Sequence, residues 1–122
     1  GHQMGLDVHD MEDLGENYVG YDDKYKRATQ PGLASLRMGK MLEVGHVVTV
    51  EPGIYFIPAL IEKWKNEGTC KGLINFSKLK PYYNFGGIRL EDDILITPEG
   101  CRLLGAKRLP ITVKDVELEM AT

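Results

Sequence analysis

The chain has 122 residues, 43% of them hydrophobic, with 15 basic and 18 acidic side chains and a net charge of −3. That length fits one domain or part of one, and the apolar content is enough for a core. The mild acidity gives no electrostatic basis for nucleic-acid or membrane-surface binding, and no apolar run approaches the roughly 20 residues that span a bilayer.

In chain order, residues 1–9 alternate loosely and run into Asp10–Gln30, a polar stretch that reads as a long loop. Pro31-Gly32 reads as a turn, Leu33–Met41 as a short irregular segment, and Glu43-Val44-Gly45 as a second turn. His46–Phe56 is rich in β-branched and aromatic residues and reads as a strand. Period two puts Val47, Thr49 and Glu51 on one face and Val48 and Val50 on the other, and Pro52-Gly53 breaks or bulges the strand. Pro58 suits the first turn of a helix over Ala59 to about Lys65, ended by Gly68. Thr69–Tyr83 reads as a connecting loop with some strand.

Ile88–Thr97 is the second strong strand. Arg89, Glu91, Asp93 and Leu95 share one face, and Ile88, Leu90, Asp92, Ile94 and Ile96 the other. Pro98-Glu99-Gly100 turns the chain into a return strand, Cys101–Leu104, making a hairpin. Thr112 with Asp115 is a capping-box variant opening a last helix, Val113 to about Met120.

Glu51 and Glu91 are acids inside apolar strand-like runs. Burying an unpaired carboxylate costs several kcal/mol, so such acids are neutralised, paired or bound to metal. With His2 and His9 near the start, they suggest a site of oxygen and imidazole ligands; two salt-bridged strand carboxylates are the plainer alternative. His9 can equally be a solvated loop histidine and Arg37 a surface cation. His46, at a strand start, stands apart from these motifs. Cys70 and Cys101 match no metal or redox spacing and read as reduced thiols of an intracellular protein, although one disulfide stays open. No signal peptide is visible, and the chain opens in mid-pattern without an initiator Met, so it reads as a fragment.

Four motifs carry a resemblance. Gly1-His2-Gln3-Met4-Gly5-Leu6-Asp7-Val8-His9-Asp10 resembles a segment of the pita-bread dinuclear metallopeptidases. Pro31-Gly32-Leu33-Ala34-Ser35-Leu36-Arg37 is similar to the prolidase (Xaa-Pro dipeptidase) branch, although Ala34 stands where prolidases often carry a basic residue. Val48-Thr49-Val50-Glu51-Pro52-Gly53-Ile54-Tyr55-Phe56 and Gly86-Gly87-Ile88-Arg89-Leu90-Glu91-Asp92-Asp93 complete the family order, so the resemblance covers essentially the whole chain.

The resemblance implies an α+β chain, the C-terminal part of a pita-bread (creatinase/aminopeptidase-like) catalytic domain spanning residues 1–122. Its curved, mainly antiparallel sheet would carry the helices at about 59–65 and 113–120 on its outer, apolar face. His2 falls on the family's histidine metal ligand, Glu51 on a glutamate ligating the same metal, and Glu91 on the glutamate bridging two metals. His9 matches a histidine that contacts substrate and stabilises the transition state. Arg37 matches an arginine reading the carboxylate of a C-terminal proline, and Arg89 an arginine close behind the bridging acid. Carboxylates with one imidazole suit Mn²⁺ first, with Co²⁺, Fe²⁺ or Zn²⁺ as alternatives.

The family's two aspartate ligands and a further pocket histidine belong upstream of this chain. Asp7 and Asp10 are part of the histidine motif, and Asp22-Asp23 lie in the polar loop. Three of five ligands are therefore expected, in a cytoplasmic, homodimeric parent acting on Xaa-Pro dipeptides. The isolated chain is expected to be inactive, with an incomplete two-metal site, a frayed His2 and a sheet edge open to self-association. The alternatives are an aminopeptidase P-like exopeptidase and a non-catalytic pita-bread interaction domain.

Overall fold

The computed structural model describes residues 1–30 and 33–121, so the Pro31-Gly32 turn lies outside the described residues. In chain order come a 3-10 turn (Glu12–Leu14), α1 (Glu16–Val19), β1 (Val47–Val50), β2 (Gly53–Tyr55) and α2 (Pro58–Glu67). A 3-10 helix (Phe76–Tyr82), β3 (Gly87–Arg89), β4 (Asp92–Thr97), β5 (Gly100–Leu103) and α3 (Val113–Met120) follow. The chain divides into two units, residues 1–51 with 90–122, and Pro52–Arg89. The class is mixed α and β with small antiparallel sheets, as expected.

In the first unit, β1 is four β-branched residues in a row, a composition that favours extended backbone. It pairs with β4, and β4 with β5, all antiparallel, in the order β1-β4-β5. The β4–β5 hairpin turns at Pro98-Glu99 between paired Thr97 and Gly100, as expected. The outer edge of β1 is not bare. Gln3 bridges Val48, the Thr49 N–H donates to the His2 carbonyl (2.9 Å) and the Met4 N–H to the Val47 carbonyl (3.1 Å). The first residues thus act as a short extra strand, and His2 is buried rather than frayed. His46 accepts the Glu43 N–H at Nδ1 and closes the turn before β1.

The second unit pairs β2 with β3, antiparallel. Phe56 stacks on Tyr82 (centroids 4.7 Å apart) and meets Phe85 edge-on. In α2, Pro58 sits in the first turn and Ile61 is the buried residue. Gly68 ends the helix at φ +71°, where its N–H reaches the last carbonyls, a left-handed position that disfavours side chains with a Cβ. Tyr83 donates to Glu62 (2.5 Å), which holds that carboxyl below the usual carboxylate range and raises the tyrosine.

Four expectations need correction. Each long strand is interrupted: His46–Phe56 becomes β1 and β2 around Glu51-Pro52, and Ile88–Thr97 becomes β3 and β4 around Leu90-Glu91. Pro52 has no N–H to donate, which is one reason for the first break. The Asp10–Gln30 stretch is not a plain loop; it holds the 3-10 turn and α1. Thr69–Tyr83 carries a 3-10 helix instead of strand, capped by the Asn75 side chain accepting the Lys78 N–H. Finally, α3 has the expected limits and its Thr112 cap, but it buries no residue, and Leu118 and Met120 are exposed, so the expected packing of an apolar helix face on a sheet is not seen among the described residues.

Candidate metal centre

The centre begins with register. Val50 pairs with Asp92 at the end of the β1–β4 ladder, and one further step sets Glu51 against Glu91. Both acids therefore sit where the ladder stops, with no neighbouring strand residue between them. His2 arrives from the opposite edge of β1, brought by the backbone bond to Thr49. Among the described residues, only His2, Glu51 and Glu91 bring three possible ligand atoms together, all within 4.8 Å of one another.

His2 and Glu51 are both oriented by their neighbours. The His2 ring places Nδ1 2.9 Å from the Gln3 carbonyl oxygen. A carbonyl only accepts, so Nδ1 carries the hydrogen, and in the neutral ring Nε2 keeps its lone pair. That nitrogen faces Glu51 Oε1 at 3.4 Å. The same oxygen accepts from Thr49 Oγ1 (2.9 Å), and Thr49 Oγ1 accepts from the His2 backbone N–H (2.9 Å). The Gly1 amino group lies 3.8 Å from Glu51 Oε1. His2 is 3% exposed and the Glu51 side chain 12%, whereas Glu91 faces solvent.

These residues fit a divalent cation. An imidazole lone pair and two carboxylates converge, and a cation between them relieves the repulsion of two anionic groups at close range. The histidine's second nitrogen is tied to a carbonyl, an arrangement common to metal-bound histidines.

His9 and Arg37 come together beside this cluster. The His9 ring meets the His2 ring edge-on with centroids 4.3 Å apart. The Arg37 fork lies against both ring nitrogens of His9, Nη1 3.0 Å from Nε2 and Nη2 3.3 Å from Nδ1. A guanidinium only donates and a neutral imidazole accepts at one nitrogen, so one of the two contacts is a hydrogen bond; Nδ1 also faces Glu12 Oε2 at 3.5 Å. Arg37 also meets Glu12 (3.1 Å) and Glu16 (3.3 Å). Arg27 clasps Glu16 (2.5 Å), Asn17 (2.9 Å) and the Ala34 carbonyl (2.8 Å), and stands over the Tyr21 ring. The Arg27 hydrogen bond, with Arg37 adding to it against some desolvation, holds the Glu16 carboxyl below its usual value.

Arg89 lies at the end of β3. Its Nε donates to Tyr55 Oη (2.8 Å), and its strand stops before Glu91, so the unbroken alternation that put the two on one face is absent. Sequence reasoning missed Thr49, Glu12 and Glu16. Thr49 had a visible signal, a hydroxyl residue two places before the acid in an apolar strand. Glu12 and Glu16 had none, because their arginine partners lie 11–25 positions away in the chain.

Residues 1–98 match metallopeptidase family M24. The chain belongs to this family. Xaa-Pro dipeptidase of Rattus norvegicus is 41% identical over 121 residues, covering 99% of the chain and 23% of that protein. Xaa-Pro dipeptidase of Homo sapiens is 39% identical over the same coverage. A probable Xaa-Pro aminopeptidase of Colletotrichum graminicola is 37% identical over 115 residues, covering 94% of the chain and 22% of that protein. The M24 chain thus spans under a quarter of the length of the curated relatives it matches. M24 membership implies divalent metals, which agrees with the chemistry of the His2, Glu51 and Glu91 donors.

Proposed function

We propose that this chain is the C-terminal portion of the catalytic domain of a metal-dependent Xaa-Pro dipeptidase. In this reading the parent has a pita-bread fold, a curved antiparallel sheet with helices on its outer face, and acts as a cytoplasmic homodimer. The convergence of His2, Glu51 and Glu91 within 4.8 Å carries the reading, supported by similarity to Xaa-Pro dipeptidases along nearly the whole chain. The free, exposed thiols of Cys70 and Cys101 support a reducing location.

His2 and Glu51 would hold one ion and Glu91 would bridge to a second, with two aspartates supplied by the rest of the parent. A pair of divalent ions, Mn²⁺ in this reading, supplies water activation and carbonyl polarisation when bound. The chain's own residues do the rest. His2 presents Nε2 because Nδ1 is tied to Gln3. Thr49 fixes one oxygen of Glu51. Arg37 takes the carboxylate of a C-terminal proline in its planar fork, exchanging Glu12 for substrate, and so sets the dipeptide's register. His9, one ring from His2, then lies next to the scissile bond and hydrogen-bonds the substrate there.

The aminopeptidase relatives favour a second reading, removal of the first residue from longer Xaa-Pro peptides. A carboxylate reader at Arg37 is useful only where proline is the last residue. The test is hydrolysis of Gly-Pro and Gly-Pro-Ala by the full-length parent, with and without Mn²⁺. Mn²⁺-dependent preference for Gly-Pro is expected. Preference for the tripeptide would favour the aminopeptidase, and no turnover of either would favour a non-catalytic interaction domain.

A further inference from the structure

The Thr49 hydroxyl sits between the backbone of one candidate ligand and the carboxylate of another. It accepts from the His2 N–H at 2.9 Å and donates to Glu51 Oε1 at 2.9 Å. Thr49 is 3% exposed, so water does not stand in for either bond. A hydroxyl has one hydrogen and lone pairs to accept with, and both functions are used here. The His2 amide can only donate, so it claims a lone pair. The single hydroxyl hydrogen is therefore directed at Glu51.

We propose that Thr49 is a positioning residue for the metal centre: its hydroxyl sets the spacing between His2 and Glu51 and fixes which Glu51 oxygen faces the imidazole. The inference rests on the metal-centre reading above and deepens it. The strand geometry makes the role specific. Thr49 is two residues before Glu51, on the same face of the chain, and its backbone N–H binds the His2 carbonyl at 2.9 Å. Backbone and side chain of one residue thus hold His2 at two points. Without the hydroxyl, Glu51 keeps its place in the sequence but loses the hydrogen bond that selects its rotamer. His2 then keeps one of its two backbone bonds to Thr49. Valine has nearly the same shape as threonine and keeps the β-branched strand residue, so Thr49→Val removes the hydroxyl alone.

The experiment is Mn²⁺ titration of the metal-stripped, full-length parent, followed by calorimetry, for the unaltered enzyme, Thr49→Val and Thr49→Ser. Thr49→Ala supplies the same comparison in place of Thr49→Val if the valine variant does not fold. Removing an orienting partner of this kind weakens metal affinity by about 10–100-fold. That loss is expected for Thr49→Val, and Thr49→Ser, which keeps the hydroxyl, should recover to within about 3-fold of the unaltered enzyme. Absorption spectra of the Co²⁺-loaded forms should shift for valine and not for serine. Equal Mn²⁺ affinity in all three proteins would overturn the role of Thr49 while leaving the metal centre intact, as would a serine variant that binds as weakly as valine. An unaltered parent that takes up no Mn²⁺ would overturn the centre, and this inference with it.

Discussion

Glu51 and Glu91 come together just past the end of the β1–β4 ladder, one register position beyond its last pair, Val50–Asp92. Like charges directly opposite in an antiparallel pair destabilise a sheet by up to about 1 kcal/mol. A structural salt-bridge role for the two acids and a metal role therefore differ in sign. Glu91→Gln should stabilise the metal-free protein slightly, by under about 1 kcal/mol, and lower metal loading when Mn²⁺ is present. Urea midpoints with and without Mn²⁺ read both effects. Lower stability of the variant in both conditions would speak for paired strand carboxylates.

Arg37 is the specificity prediction. It lies against His9 and is held by Glu12 and Glu16. In the full-length parent, Arg37→Lys should keep metal content and lose roughly 2–4 kcal/mol of transition-state stabilisation on Gly-Pro, the value of a bidentate charge-assisted contact. Gly-Pro amide, which lacks the carboxylate, should be affected far less. A Gly-Pro rate equal to that of the unaltered enzyme would remove Arg37 from the site.

Glu16 joins Arg27 to Arg37, and its carboxyl is held below the usual value, chiefly by Arg27. A carboxyl lowered in the folded state contributes stability above its unfolded value, near 4.5. That contribution disappears as pH falls through the lower, folded value. Glu16→Gln should therefore be less stable than the unaltered protein at pH 7, and the gap should shrink as pH falls below 4.5. The side chain is 37% exposed, so screening keeps the difference within about 1 kcal/mol. A gap that persists unchanged at low pH would point to packing instead of charge.

Local signals were the legible ones. The last helix keeps the limits expected from Thr112 and Asp115, because a capping box acts within one turn. Gly68 ends α2 for the same kind of reason, although the helix runs two residues past the expected Lys65. The interruptions at Glu51-Pro52 and Leu90-Glu91 were hidden, since each run has strand composition throughout and only its pairing shows where the ladder stops. The Arg27–Glu16–Arg37 chain was hidden too, because ion pairs between distant positions leave no periodicity in a polar stretch. Convergence of His2, Glu51 and Glu91 was expected from the motifs. Burial of His2 was not, because an end residue frays unless something holds it, and Thr49 does so.

The isolated chain gives a further prediction. It offers three ligand residues in one cluster, which does not suffice for two ions and a shared water. It should bind Mn²⁺ weakly, below two ions per chain, and leave Gly-Pro intact. Two tightly bound ions per chain, or Gly-Pro turnover by the chain alone, would mean that the ligands are misassigned.

The central claim is that His2, Glu51 and Glu91 are metal ligands. The most direct measurement is an anomalous-scattering map of Mn²⁺-loaded crystals of the full-length parent. The account predicts a peak about 2.0–2.3 Å from His2 Nε2 and a Glu51 oxygen, with Glu91 joining it to a second peak roughly 3.5–4 Å away. Strong peaks bound only to other residues, with His2 Nε2 and both glutamates left uncoordinated, would contradict it.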